Sequence, residues 1–122
     1  MGQKCRKLHF LHATGYGKVG EEGNRIGSYV VHFATNQMTF EIPIVYGNDV
    51  RDWHALDGEP KPGKELNLAW KGENAISKAE HHYLRLFLTT WENVAPNLEI
   101  DRIDFVSAIG NPAPFLIAVT VE

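Results

Sequence analysis

The sequence predicts an all-β fold, an antiparallel β-sandwich of about seven short strands. Apolar and polar residues alternate in short runs, and segments rich in Gly, Pro and Asn separate these runs. No segment of comparable strength repeats its apolar residues at the spacing of an amphipathic helix. The 122 residues, 43% hydrophobic and 22% charged, are enough for one core. We therefore interpret residues 1–122 as a single β-sandwich domain.

The predicted strands, in chain order, cover residues 8–13, 26–34, 38–46, 66–70, 83–93, 98–108 and 115–121. The short link at residues 35–37 predicts that the second and third strands form a hairpin. Pro43 has no backbone N–H to donate, which indicates an edge strand or a bulge. The alternation of the sixth run slips near Asp101 and Arg102, which predicts a β-bulge there.

The run at residues 83–93 has two chemically different faces, because side chains alternate along a strand. One face carries Leu84, Leu86, Leu88 and Thr90, and the other carries Tyr83, Arg85, Phe87, Thr89 and Trp91. We expect the leucine face to form the core. The aromatic face is then packed under a loop or presented to a ligand. In the seventh run, we expect Phe115, Ile117, Val119 and Val121 to share one face.

Two polar regions interrupt the strands. Residues 48–64 form the longest irregular segment, and residues 75–80 are expected to make one helical turn at most. The irregular segment contains the carboxylates Asp49, Asp52, Asp57 and Glu59. Carboxylate oxygens are ligands for calcium, so calcium is an alternative at this loop. Because the spaced carboxylate pattern of an EF-hand loop is missing, we predict no metal site and no cofactor.

Tryptophan and tyrosine are the best signal for a binding function. Sugar rings present C–H faces that stack on aromatic rings, and their hydroxyls require Arg, Asn, Asp or Glu partners. The candidate ligand-binding residues are Arg51, Asp52, Trp53, Arg85, Trp91 and Asn93. The structural alternative is that the tryptophans close the ends of the sandwich. In that case Arg85 pairs with an aspartate such as Asp52.

Several other classes of function have little support. No serine lies in a G-x-S-x-G context, and Cys5, the one cysteine, lies near the N-terminus with no cleft implied. We therefore expect a protein that is not an enzyme. The net charge of −3 gives no electrostatic reason for binding nucleic acid or an anionic membrane. The longest apolar run is too short to span a bilayer, and the N-terminus lacks the apolar segment of a secretory signal.

Six segments resemble a known module in the same order along the chain. They are residues 8–13, 26–33, 41–47 with 50–53, 89–93, 103–107 and 113–120. Together they resemble a poorly characterised β-sandwich module at the C-terminal end of multidomain bacterial proteins. That module is similar to galactose-binding-like jelly rolls and to carbohydrate-binding modules. The resemblance implies a jelly roll and a non-catalytic module for polysaccharide or oligosaccharide. The alternative is a protein-interaction or assembly module of a regulatory protein, with buried tryptophans.

Three departures from that module matter. Asn36 and Gln37 stand where family members commonly have Asp-Gly, and His54 replaces a second aromatic residue after Trp53. Family members also carry further strand-forming sequence before the run at residues 8–13, which implies that an N-terminal strand of the full module is missing here. A sandwich without that strand exposes a sheet edge, and an exposed edge favours pairing with a second copy. We therefore predict a homodimer.

Overall fold

Seven strands and one short helix make up the fold in a computed structural model, which describes residues 2–122. They are β1 Lys7–Gly15, β2 Arg25–Phe33, β3 Thr39–Val45, β4 Leu68–Gly72, α1 Ala75–Ala79, β5 Leu84–Glu92, β6 Ile100–Ser107 and β7 Ala113–Val121. All strand pairs are antiparallel. The predicted all-β sandwich is confirmed, and every strand begins and ends within two residues of its predicted position.

The strands form two sheets. One sheet has four strands in the order β4-β5-β1-β7, and the other has three in the order β3-β2-β6. The predicted hairpin is formed by β2 and β3. Because β3 is the outer strand of its sheet, Pro43 lies in an edge strand, where a residue without an N–H is tolerated. The predicted bulge is also present. Phe33 pairs with Ile100 but His32 pairs with Arg102, so Asp101 is the additional residue. The finer jelly-roll connection stays a prediction.

The two faces of β5 have the opposite roles from those expected. Phe87 and Trp91 belong to the core between the sheets, and Arg85 is also buried. Leu84 and Leu86 instead line a groove on the outer face of the four-stranded sheet. The prediction that the leucine face forms the core is therefore wrong. Alternation separates two faces of a strand but does not state which face is inner.

Aromatic rings join the two sheets across the core. Phe10 of β1 stacks on Tyr29 of β2 with ring centroids 4.0 Å apart, and Phe40 of β3 packs on Trp91 of β5 at 5.3 Å. Such rings span the roughly 10 Å between stacked sheets.

The prediction that Phe115, Ile117, Val119 and Val121 share one face of β7 is wrong. A register shift in its pairing with β1 places Phe115 and Ile117 at the outer groove, whereas Val121 lies opposite the core residue Leu8. Phe115 also contacts the core, as Leu116 and Val121 do.

A buried histidine lies within this core. The His12 ring is hydrogen-bonded on both sides: Nδ1 lies 2.6 Å from the Tyr29 hydroxyl and Nε2 lies 2.8 Å from the Thr89 hydroxyl. A neutral imidazole suits this position, because it donates from one nitrogen and accepts at the other while each hydroxyl takes the matching role. Burial lowers the pKa of His12 to about 4, because the charged imidazolium loses its hydration.

The low pKa of His12 makes the fold sensitive to acid. The unfolded chain, with a histidine pKa of about 6.5, binds the proton that the folded chain excludes, so stability falls as the pH falls below that value. Between about pH 7 and pH 4 we expect His12 to remove on the order of 3 kcal/mol of unfolding free energy. Urea unfolding of the wild type and of His12→Gln across this range measures the effect. Equal pH dependence in the two proteins would contradict it.

Candidate functional site

Three of the sequence-predicted site residues anchor the long loop between β3 and β4. Arg85 forms a two-pronged ion pair with Glu59, with both nitrogen–oxygen distances 2.6 Å, and its Nε donates to the Asp52 carbonyl at 2.8 Å. Arg51 donates to the Pro60 carbonyl at 2.9 Å. Its Nε also lies 3.0 Å from a carboxylate oxygen of Glu22. The guanidinium groups therefore hold the loop against the sandwich.

The electrostatics of Arg85 fit this anchoring role. Burial by itself lowers the pKa of Arg85, but the hydrogen bonds and the charge of Glu59 outweigh burial and raise it above its ordinary value. The expected aspartate partner is thus replaced by Glu59, and Asp52 contributes only its backbone carbonyl to Arg85. The Asp52 side chain instead accepts from the N–H groups of Gly17, at 2.7 Å, and His54, at 2.9 Å. It fixes the two loops that flank Trp53.

Trp91 and Asn93 lie far from this cluster. Arg85 and Trp91 are six positions apart on one strand, which corresponds to roughly 20 Å. Trp91 is only 8% exposed and packs in the core. Asn93 donates to the Cys5 carbonyl at 2.8 Å and accepts from the N–H of Ala95 at 2.9 Å, so it holds the turn after β5. The structure therefore brings together Arg51, Asp52, Trp53 and Arg85, and a ligand-binding role for the whole set stays a prediction.

An open apolar groove crosses the outer face of the four-stranded sheet, and we call it the outer-face groove. It has a volume of about 570 Å³ and is lined by Gly15, Tyr16, Trp53, Trp70, Leu84, Leu86, Ala113, Phe115 and Ile117. Small-molecule sites typically have volumes of about 300–1,000 Å³. Pairing of Trp70 with Leu86 in the sheet places the tryptophan of β4 beside the leucines of β5. Cross-strand neighbours, not sequence neighbours, build this surface.

A glycine leaves room for the ring of Trp70 in the groove. Trp70 and Gly72 lie two positions apart on β4 and therefore share a face. A Cβ atom placed on Gly72 would overlap the six-membered ring of Trp70, so the indole lies directly over the glycine backbone. Even so, 48% of Trp70 is exposed to solvent. The ring is therefore accessible to a ligand and lies against the glycine backbone.

Two further aromatic residues border the groove. Trp53 makes edge-to-face contacts with His54, at a centroid distance of 4.6 Å, and with Phe115, at 6.3 Å. Tyr16 is 81% exposed and has a φ of 54°, in the left-handed region that side chains other than glycine rarely adopt. Such backbone strain is concentrated at functional sites. The strained turn that follows β1 therefore holds an exposed phenol ring at the groove.

A second cavity, with several titratable side chains in its lining, adjoins one end of the outer-face groove. This cavity, of about 520 Å³, shares Gly15, Tyr16 and Trp53 with the groove and adds His54, Glu80 and His82, among others. His82 Nε2 lies 3.3 Å from a carboxylate oxygen of Asp57, and Nδ1 lies 3.6 Å from one of Glu80. Imidazole and carboxylate groups thus stand beside the aromatic rings. They offer hydrogen-bond donors and acceptors that the groove itself lacks.

The loop carboxylates considered as calcium ligands have separate partners. Asp49 accepts from the N–H of Val45 at 2.8 Å, and burial raises the pKa of its carboxyl group. Asp52 caps two backbone N–H groups, Asp57 lies beside His82, and Glu59 pairs with arginine. Among residues 2–122, no group of three or more His, Cys, Asp or Glu side chains is arranged to hold a metal ion.

Four residues that line the groove were not predicted as site residues from the sequence: Tyr16, Trp70, Leu84 and Leu86. A Trp-x-Gly pattern in a short strand was the available signal, because the glycine leaves room for the ring.

Comparison of the chain with protein-family models, with curated proteins and with solved structures finds no match. The resemblance to galactose-binding-like modules therefore stays a prediction. Within residues 2–122, no helix has the length and apolar character needed to cross a membrane.

Proposed function

We propose that this chain is a non-catalytic binding module that holds carbohydrate in the outer-face groove. The observation that carries the proposal is the exposed ring of Trp70, which lies over Gly72 in the same groove as Trp53 and Tyr16. The C–H face of a pyranose is apolar and matches a flat aromatic ring in size and polarity. An exposed indole is a surface on which such a face stacks.

Titratable side chains in the cavity beside the groove offer the second requirement of sugar recognition. A sugar that stacks on the aromatic rings directs its hydroxyls sideways, and these hydroxyls need donors and acceptors. His54, Glu80 and His82 line the cavity that shares Trp53 and Tyr16 with the groove. In the proposal, the rings take the apolar face of the sugar and these side chains bind its hydroxyls. The resemblance to carbohydrate-binding modules supports the same class of ligand.

A protein-interaction module is the second candidate, and a specific observation favours it. Between the aromatic rings, the groove is lined by the aliphatic side chains of Leu84, Leu86 and Ile117, and Ile117 is exposed. An exposed apolar patch of this kind often marks a site where another protein docks. The exposed aromatic rings, with His54, Glu80 and His82 nearby, favour carbohydrate as the ligand. The aliphatic residues favour a protein partner that inserts an apolar side chain.

Replacing Trp70 with alanine tests the proposal. We expect the affinity for the best glycan in a panel of soluble poly- and oligosaccharides to fall at least roughly tenfold, about 1.4 kcal/mol, because the stacking surface is lost. Titration calorimetry measures this without using tryptophan fluorescence. Val94→Ala is the control, since Val94 is also exposed and apolar but lies in the turn after β5, outside the groove. Its affinity should equal that of the wild type.

Two outcomes would count against carbohydrate binding in the groove. If Trp70→Ala keeps its fold by circular dichroism and binds the glycan as tightly as the wild type, the ligand lies elsewhere. If the folded wild type binds no glycan of the panel, carbohydrate binding is rejected. The aliphatic side chains that line the groove then favour the protein-interaction function.

A further inference from the structure

Strand β6 ends the three-stranded sheet with an unpaired edge. Its one neighbouring strand is β2, and the bridge between Gln3 and Ile100 covers only the start of its other side. The N–H of Ala108 donates to the Ile26 carbonyl. Because backbone groups point alternately to the two sides of a strand, those of Val106, Asp104 and Arg102 also point towards β2. Those of Ile103 and Phe105 consequently point away from the sheet. Within the part of the chain that the structure describes, no other strand meets them.

The other edge strands carry features that discourage pairing. Pro43 removes a donor from β3, Pro114 and a bulge interrupt β7, and β4 is five residues long and carries Lys71. Prolines, bulges, charged side chains and short length are the common protections of sheet edges. From residue 102 to residue 107, β6 has no proline and no bulge, and its two charges, Arg102 and Asp104, are of opposite sign. Its Phe105 lies opposite Tyr29 on the inner face but remains 40% exposed, because within residues 2–122 no strand covers this part of the edge.

The charges of β6 are complementary to themselves. Arg102 and Asp104 flank Ile103 and share the outer face of the sheet, where Arg102 Nε lies 3.4 Å from a carboxylate oxygen of Asp104. When two antiparallel copies of β6 meet with Ile103 opposite Ile103, Arg102 of each copy lies opposite Asp104 of the other. Opposite charges at directly paired positions stabilise a sheet, and like charges destabilise it. This register also directs the free backbone groups of Ile103 towards each other.

We propose that β6 is the edge through which two copies of this chain associate. The pairing joins the two three-stranded sheets into one continuous sheet across a two-fold axis. It supplies backbone partners for Ile103 and places Ile103 of the second copy diagonally beside Phe105. The proposal concerns the opposite sheet from the outer-face groove, so it is independent of the proposed carbohydrate function. A homodimer through an exposed sheet edge was predicted from the sequence, and the proposal specifies which edge and which register it uses.

Charge reversal tests both the edge and the register. The wild type should sediment at twice the 13.7 kDa mass of one chain. Arg102→Asp and Asp104→Arg should each sediment as a monomer, because each variant places like charges opposite each other. An equimolar mixture of the two variants should form a heterodimer, since every facing pair is then of opposite sign. The double variant R102D/D104R should again form a homodimer for the same reason.

The controls separate the interface from the fold. Glu41→Lys reverses an exposed charge on β3, the other edge of the same sheet, and should leave the dimer unchanged although Glu41 pairs with Arg25. Recovery of dimer in the mixture also shows that the single variants are folded. A monomeric wild type at millimolar concentration would overturn the proposal. So would single variants that dimerise like the wild type, or a mixture of folded single variants that stays monomeric.

Discussion

Replacing Glu59 with glutamine is expected to lower the free energy of unfolding by about 3–5 kcal/mol, the usual cost of breaking a buried ion pair by removing one partner. The Glu59 carboxylate accepts both prongs of Arg85 and lies 3.9 Å from a guanidinium nitrogen of Arg51. Glutamine keeps the size of the side chain but removes the charge. Both buried guanidinium groups then lose the charge of Glu59, and among residues 2–122 no other carboxylate forms an ion pair with Arg85.

Equilibrium unfolding in urea measures this loss. Glu65→Gln is the matched control, because Glu65 belongs to the same loop but is exposed. Exposed substitutions of this kind usually change stability by less than about 0.5 kcal/mol. If Glu59→Gln costs no more than Glu65→Gln, the arginine cluster does not hold the loop in the way that the geometry indicates.

Trp91→Ala is expected to cost about 3–5 kcal/mol, as large aromatic truncations in a core usually do. Trp91 lies opposite Leu8 in the sheet and contacts Phe40 of the facing sheet, so its removal opens a cavity between the two layers. Trp70→Ala provides the contrast. That side chain is half exposed on the outer face, so its loss should cost far less stability while reducing ligand affinity.

Far-UV circular dichroism during urea unfolding compares the two tryptophan variants without depending on indole fluorescence. We predict that Trp91→Ala lowers the free energy of unfolding and that Trp70→Ala lowers the affinity for the ligand. Equal destabilisation by the two substitutions would contradict the division between a core tryptophan and a surface tryptophan.

Much of the fold could be predicted from the sequence because the relevant signals are local. Pro43 indicated an edge strand, and the slip in alternation near Asp101 indicated a bulge; the structure confirms both. The inner face of β5 could not be predicted in this way. Its leucine and aromatic faces are both apolar, and the choice depends on how β5 registers with β1, where Leu8 meets Trp91 and His12 meets Phe87.

The candidate site was harder to predict because its residues come from several strands. Arg51 and Asp52 were chosen for their place beside Trp53 in the sequence, but their side chains anchor loops instead of lining the outer-face groove. Trp70 reaches the groove through pairing of β4 with β5. Such long-range pairing is set by the whole sheet and leaves no local sequence pattern, apart from the glycine that follows Trp70.

The measurement that tests the groove most directly follows the indole N–H signals during a titration of the ¹⁵N-labelled wild type with the glycan that binds best. The chain has three tryptophans, so three side-chain signals are expected, each assigned by a Trp→Phe variant. The account predicts saturable shifts for Trp53 and Trp70 and an unchanged signal for Trp91. Saturable binding with no shift at Trp53 or Trp70 would contradict it.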